Sequence, residues 1–136
     1  MLWGEAAVKK LNNSSVIIFG LGGVGSYTAE ALARAGVGSL TLVDGDKISL
    51  SNINRQLYAL HSTVGKYKTE VAKDRISDIN PDCKITVITD FVTKENTDSF
   101  FPEKYDFCVD AIYDTAAKTA IAVKCEQTDT PLIASI

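Results

Sequence analysis

The stretch that most constrains the fold is an apolar run followed directly by a glycine-rich turn. Residues 16–19 are Val-Ile-Ile-Phe, and Gly20, Gly22 and Gly25 follow with the spacing G-x-G-x-x-G. A short β-branched run of this kind is typical of a strand buried on both faces of a sheet. The alanine-rich segment 26–35 is typical of the helix that follows such a strand. The pattern predicts a strand, a tight turn and a helix whose first backbone N–H groups can bind a phosphate.

A carboxylate follows at the spacing expected for ribose binding. Residues 40–43 predict a second strand, and Asp44 comes directly after it. Asp44 stands roughly 20 residues beyond the glycines, where nucleotide-binding α/β domains place the acidic residue that holds a ribose hydroxyl. The alternative is a glycine-rich turn in an α/β protein that binds no nucleotide. The position of Asp44 favours nucleotide binding.

The rest of the chain alternates between helical and strand patterns. Helices are predicted at 2–11, 66–79, 93–101 and 114–127, and strands at 84–89, 107–112 and 131–136. The polar stretch 44–65 interrupts this order, and a connection of that length in a compact domain is usually functional. The predicted fold class is α/β, a Rossmann-like doubly wound, mostly parallel sheet with helices on both faces. We expect one domain over residues 1–136 that is incomplete at its C-terminal end, because the sequence stops inside an apolar strand.

Composition excludes several classes of protein. The 14 basic and 17 acidic residues give a net charge of −3, which is not the balance of a dedicated nucleic-acid-binding domain. The apolar runs are of strand length, so we expect no integral membrane segment. The cysteines Cys83, Cys108 and Cys125 form no C-x-x-C pair, which argues against a structural zinc site or a dithiol redox motif. We expect reduced thiols in a cytoplasmic protein.

A longer constellation carries a family resemblance. Residues 44–56 read Asp-Gly-Asp-Lys-Ile-Ser-Leu-Ser-Asn-Ile-Asn-Arg-Gln, and residues 65–68 read Gly-Lys-Tyr-Lys. This pattern resembles the ThiF/MoeB-type adenylating enzymes, the bacterial relatives of ubiquitin-activating enzymes. The segments at 62–65, 78–81 and 90–93, Ser-Thr-Val-Gly, Asp-Ile-Asn-Pro and Asp-Phe-Val-Thr, resemble most the branch that dehydrates threonylcarbamoyladenosine in tRNA. The resemblance covers nearly all of the chain.

The resemblance implies a site for ATP. It makes Arg55 and Lys68 the catalytic ligands of the triphosphate and Asp44 the ribose carboxylate. Charge builds on the phosphate oxygens during adenylation, so a forked guanidinium and a compact ammonium suit this chemistry. The alternative for Arg55 is a structural ion pair with Asp44 or Asp46. The candidate nucleotide-binding residues are Gly20, Gly22, Gly23, Gly25, Asp44, Asp46, Ser51, Asn52, Arg55, Gln56 and Lys68.

The chain departs from the family pattern in two places. The family usually reads Asp-Ala-Ile-Asp after the fourth strand, and its last Asp helps to position Mg²⁺ on the triphosphate. Here the sequence is Asp110-Ala-Ile-Tyr113, followed by Asp114. Either Asp114 takes over the metal contact or that contact is weakened. Family members also carry an arginine upstream of the segment matching residues 2–5, which reaches the partner subunit's nucleotide, and no residue here matches it. We therefore expect a piece truncated at both ends.

Four functions are weighed against one another. The first is ATP-dependent dehydration and cyclisation of threonylcarbamoyladenosine in tRNA. The second is adenylation of the C-terminus of a ubiquitin-like sulfur-carrier protein in thiamine or molybdopterin synthesis. The third is an NAD-binding oxidoreductase, although Arg55 and Lys68 argue against it because NAD has no γ-phosphate to neutralise. The fourth is a nucleotide-sensing module without catalysis. The resemblance also implies a homodimer.

Overall fold

The computed structural model describes residues 4–135. The helices are α1 (Gly4–Asn12), α2 (Gly25–Ala35), α3 (Lys68–Ile79) and α4 (Thr115–Gln127). The strands are β1 (Ser15–Phe19), β2 (Ser39–Val43), β3 (Lys84–Ile88), β4 (Phe107–Asp110) and β5 (Leu132–Ala134). Two single turns of 3₁₀ helix lie at Leu50–Asn52 and Thr97–Phe100.

The five strands form one sheet in the order β3-β2-β1-β4-β5, and every pairing is parallel. This confirms the predicted α/β fold class. The chain leaves β1 for β2 on one side and later returns to β4 on the other, so the order reverses between β1 and β4. In open parallel sheets, ligands bind outside the carboxyl ends of the strands at such a switch point. The glycine turn follows β1 at this point.

Both faces of the sheet are covered, and β1 shows this directly. Val16 and Ile18 belong to the core beneath α2 and α3, whereas Ile17 and Phe19 belong to the core beneath α4. Ile17, Ile18 and Phe19 have no exposed surface. A strand that alternates between two apolar layers needs hydrophobic residues at every position, which is the reason for the continuous run in the sequence.

Several element bounds differ from the predicted ones. The helix predicted from Lys66 begins at Lys68, because Lys66 N–H bonds Thr63 O in a turn and Tyr67 is extended (φ −67°, ψ 137°). The helix predicted at 93–101 is only the 3₁₀ turn 97–100. The predicted start of the first helix before Gly4, and Ile136 in the last strand, lie outside the described residues.

The three cysteine side chains are buried, and they form no disulfide bonds with one another. Burial raises the pKa of the Cys83, Cys108 and Cys125 thiols above the ordinary value. Raised thiol pKa values and burial leave little reactive thiolate on these cysteines. Within residues 4–135, no helix is both long and apolar enough to cross a membrane.

Candidate functional site

The glycine turn between β1 and α2 is built on close backbone approaches. Gly20 has a φ of +92°, a conformation that L side chains rarely adopt, and its N–H donates to Val43 O at 2.8 Å. A Cβ on Gly25 would lie 1.7 Å from Gly20 O. A Cβ on Gly22 would meet nothing closer than Gln56 Nε2 at 3.4 Å. Gly20 and Gly25 are therefore required by the fold, whereas a Cβ on Gly22 would meet only the end of the Gln56 side chain.

Asp44 lies at the carboxyl end of β2 and is tied to the glycine turn. Its Oδ2 accepts a hydrogen bond from Leu21 N–H at 2.7 Å, and its Oδ1 accepts one from Asp46 N–H at 2.8 Å. The carboxylate is half-buried and fixed in orientation by these two backbone donors. Each carboxylate oxygen has a second lone pair, so Asp44 can still accept a ligand hydroxyl. This is the geometry that a ribose carboxylate needs.

The polar stretch after Asp46 folds back onto the glycine turn. Gln56 is buried beside Gly22, and the Cγ and carbonyl oxygen of Arg55 lie beside Gly23. The main chain there is anchored on α2, because Leu57 N–H donates to Ser26 Oγ at 3.3 Å. The structure thus brings the predicted residues 20–25, 44–46 and 55–56 to one edge of the sheet.

Tyr58 strengthens the same anchor. Its hydroxyl donates to Ser26 O at 3.3 Å, and the residue is 2% exposed. Burial raises the pKa of the Tyr58 hydroxyl above its ordinary value, so the group stays a neutral donor. The long connection is therefore an ordered part of the site.

Arg55 makes no salt bridge to an acidic residue within residues 4–135. Its Nη1 donates to Ser51 O at 3.2 Å and to Asn54 Oδ1 at 3.0 Å, both neutral acceptors. The structural ion pair with Asp44 or Asp46, weighed as the alternative, is not formed. The side chain is exposed and keeps its positive charge uncompensated by a carboxylate. Arg55 can therefore pair with a ligand anion.

Ser51 and Asn52 shape the turn that presents Arg55. Asn52 Oδ1 accepts a hydrogen bond from Ser49 N–H at 2.9 Å, and Asn52 O accepts one from Gln56 N–H at 2.9 Å. Ser51 Oγ lies 3.1 Å from Ser49 Oγ. The side-chain oxygen of Asn52 thus stabilises the turn, while its side-chain amide N–H groups remain available as donors to a ligand.

Lys68 is the first residue of α3 and is 6% exposed. Its N–H donates to Asp46 O at 3.1 Å, which places the first turn of α3 against the residues after β2. Its Nζ lies 4.0 Å from Asp46 Oδ2, close enough for attraction but too far for a hydrogen bond. The Asp46 side chain is 60% exposed, so this pairing is loose. The Lys68 side chain is mostly buried, and its ammonium makes no hydrogen bond to Asp46, so it can bind a phosphate oxygen of a ligand at this edge of the sheet.

The residues at the predicted metal contact are an exposed tyrosine and an aspartate that caps a helix. Tyr113 is 93% exposed, and Asp114 caps α4 by accepting a hydrogen bond from Ala116 N–H at 3.0 Å. Among residues 4–135, no group of three or more His, Cys, Asp or Glu side chains is placed to hold a metal ion. The described residues therefore build no metal cage of their own. Asp114 as a contact for phosphate-bound Mg²⁺ stays a prediction.

Two features of this edge were missed by the sequence analysis. The exposed ring of Phe91, after β3, lies against Gly45, where a Cβ would meet it at 2.6 Å. Asp110 at the end of β4 is buried and pairs with Lys118 of α4 at 3.1 Å. The signal for Asp110 was a charged residue at the end of a buried strand. Nothing in the sequence pattern singles out Lys118.

The chain is similar to known proteins over nearly its whole length. The sequence profile of the ThiF family matches residues 1–136. The tRNA threonylcarbamoyladenosine dehydratase of Bacillus subtilis (strain 168) is 44% identical over 133 residues, 98% of this chain and 52% of that protein. The molybdopterin-synthase adenylyltransferase of Escherichia coli (strain K12) is 36% identical over 130 residues, 96% of this chain and 51% of that protein.

A solved structure gives the same result in three dimensions. The crystal structure of the E. coli tRNA N6-threonylcarbamoyladenosine dehydratase in complex with ATP matches with a TM-score of 0.95 at 41% identity. The match covers 98% of this chain and 55% of that one. The chain spans about half the length of the curated relatives it matches. With a whole-length profile match and these identities, the chain belongs to the ThiF family.

Proposed function

We propose that this chain is the ATP-binding half of an enzyme that adenylates a carboxylate. The observation that carries the proposal is a pair of cations, Arg55 beside the glycine turn and Lys68 beside Asp46. Both lie at the edge of the sheet where backbone donors hold Asp44. A nucleotide with a triphosphate needs cations at its phosphates and an acceptor at its ribose. The relative crystallised with ATP supports this choice of ligand.

Each part of ATP has a matching group at this edge of the sheet. The ribose hydroxyls bind Asp44, and the phosphates bind the backbone N–H groups that open α2. Phe91 offers an exposed aromatic ring next to Gly45, directly after the ribose carboxylate, which suits the face of adenine. Gln56 and Asn52 add neutral donors around the phosphates.

The proposed chemistry is attack of a carboxylate oxygen on the α-phosphate of ATP. The new bond forms a mixed anhydride with AMP, and pyrophosphate leaves. Negative charge is spread over the phosphate oxygens at this step, and positioned cations lower its energy. Arg55 supplies two N–H groups in one plane, and Lys68 supplies a compact point charge.

The acceptor that we propose is the threonylcarbamoyl group of threonylcarbamoyladenosine in tRNA. After adenylation of its carboxylate, a nitrogen of the same group attacks the acyl carbon, AMP leaves and a ring closes with net loss of one water. This route needs no enzyme thiol, which agrees with the burial of all three cysteines. The names of the relatives from B. subtilis and E. coli support this acceptor. A homodimer is part of the same proposal.

The second candidate acceptor is the C-terminus of a ubiquitin-like carrier protein. The 36% identity to a molybdopterin-synthase adenylyltransferase favours it, because that similarity spans the same site. Both candidates share the adenylation step and differ only in the group that later attacks the adenylated carboxylate. An oxidoreductase that binds NAD is weaker, because the cations Arg55 and Lys68 have no triphosphate to neutralise in NAD.

The acceptor is tested by supplying the intact protein with ATP and tRNA that carries threonylcarbamoyladenosine, followed by mass analysis of the digested nucleosides. We expect an ATP-dependent loss of one water from that nucleoside. The control reaction contains ATP with tRNA lacking the modification, where no mass change is expected. An unchanged nucleoside, together with ATP–pyrophosphate exchange that depends on a diglycine-ended carrier, would replace the first acceptor with the second.

A further inference from the structure

An ion pair with a buried carboxylate lies at the carboxyl end of β4, and its lysine side chain is 24% exposed. Asp110 is 1% exposed, and its Oδ1 lies 3.1 Å from Lys118 Nζ on α4. The same oxygen accepts a hydrogen bond from Ile112 N–H at 3.2 Å. Lys118 Nζ also donates to Ser135 O at 2.8 Å, and Ser135 N–H donates to Asp110 O at 2.8 Å. Lys118 therefore links α4 to the ends of β4 and β5.

The segment after Asp110 is in contact with the glycine turn. Ala111 N–H donates to Phe19 O at 2.8 Å, directly before the turn. Ala111 O lies 2.5 Å from the position that a Cβ on Gly20 would take, and Ala111 Cβ lies 3.5 Å from that of Gly25. Only one peptide unit separates the buried carboxylate from these contacts. A change in the position or charge of Asp110 must therefore reach the turn.

The charge of Asp110 is unfavourable for an anionic ligand unless it is neutralised. A buried carboxylate that loses its partner is an uncompensated charge, and its field extends further in a low-dielectric interior than in water. Asp110 directly precedes Ala111, which contacts the turn at which the phosphates of ATP are proposed to bind. The ammonium group of Lys118 cancels this negative charge at a distance of 3.1 Å.

The geometry points to Lys118 as a positioning residue of the nucleotide site. It neutralises Asp110 and holds the segment 110–112 against the glycine turn, so that the turn accepts a triphosphate. Lys118 acts through Asp110 and does not itself contact the nucleotide. This inference rests on the ATP site proposed above, and it adds a residue that the candidate nucleotide-binding set does not contain.

The test measures the dissociation constants of ATP and of adenosine for variants of the 136-residue chain. Lys118→Met should weaken ATP binding roughly tenfold or more and adenosine binding less than about threefold, because only ATP carries the repelled phosphates. Lys118→Arg should keep ATP binding, since the guanidinium restores the positive charge. In Lys118→Met combined with Asp110→Asn, ATP binding should recover, because the unpaired charge is gone.

Lys124→Met is the matched control on the same helix. Lys124 Nζ also lies 3.1 Å from a carboxylate, that of Asp98, but the Asp98 side chain is 87% exposed. ATP binding by Lys124→Met should stay within about twofold of the unmutated chain, because an exposed pair contributes little.

Three results would overturn the inference. Equal losses of ATP and adenosine binding in Lys118→Met, with no recovery in the double variant, would mean that the lysine only supports the fold. Unchanged ATP binding in Lys118→Met would show that Lys118 has no role in nucleotide binding. If Lys118→Met does not fold, the double variant decides, and weak ATP binding by a folded double variant contradicts the inference. A chain that binds no ATP before mutation would instead refute the ATP site itself.

Discussion

Gly25→Ala is expected to destabilise the chain and abolish nucleotide binding together. The added Cβ would lie 1.7 Å from Gly20 O and 2.7 Å from its carbonyl carbon, so α2 would have to move away from β1. Forced overpacking of this kind typically costs about 1–3 kcal/mol, and a contact with the backbone places this case at the upper end. Domains have roughly 5–15 kcal/mol of stability in total. Thermal unfolding should therefore show a much lower midpoint.

Gly22→Ala separates the two effects of a methyl group in this turn. The new Cβ would meet only the flexible end of Gln56, at 3.4 Å, so the unfolding midpoint should stay close to that of the unmutated chain. ATP binding should still weaken, because the methyl group stands where the backbone approaches a phosphate. A Gly25→Ala chain as stable as Gly22→Ala would contradict the close approach of α2 to β1.

Lys68→Met is expected to have the largest effect on ATP binding among variants that keep the fold. Methionine fills a similar volume, and Asp46 is exposed enough to lose its distant partner without a large cost. Each charge-assisted hydrogen bond that is lost to a phosphate costs about 1.5–3 kcal/mol, equivalent to roughly ten- to a hundredfold in the dissociation constant. Calorimetric titration with ATP measures this loss directly.

Lys66→Met provides the matched control for that experiment. Lys66 is two positions earlier and exposed, and its N–H is used in the turn before α3. Its removal should change ATP binding by less than about threefold, the effect of a distant screened charge. If Lys66→Met and Lys68→Met weakened ATP binding equally, both lysines would act through long-range electrostatic attraction. That result would contradict a direct contact between Lys68 and a phosphate.

The centre of the sheet could be predicted because β1 and β2 are buried on both faces. The runs at 16–19 and 40–43 are almost entirely apolar, which is typical of central strands in a parallel sheet, and both are strands in the structure. Segments governed by side chain–backbone bonds were predicted less well. Thr93 and Asn96 each bond the other's backbone N–H, as at the start of a helix, but only the 3₁₀ turn 97–100 follows.

The part of the candidate site that is formed by motif residues could be predicted from the sequence. Asp44 and Lys68 lie at one edge of the sheet because each adjoins an element with a strong local pattern, β2 and α3. Gln56 comes to the same edge because the connection is anchored on α2 through Leu57. The burial of Lys68 could not be foreseen, since it depends on how α3 starts against Asp46. The proposed role of Lys118 could not be predicted either, because it depends on its pairing with Asp110 of β4. Only the fold brings these two residues of different elements to 3.1 Å.

The central claim is that the site is built for a triphosphate, and paired titrations with ATP and NAD test it most directly. Both ligands contain adenosine and fit a glycine turn with a ribose carboxylate, but only ATP has a γ-phosphate for Lys68 and Arg55. We expect ATP to bind the chain at least about tenfold more tightly than NAD, and Arg55→Ala to reduce that preference. Tighter binding of NAD than of ATP would contradict the account.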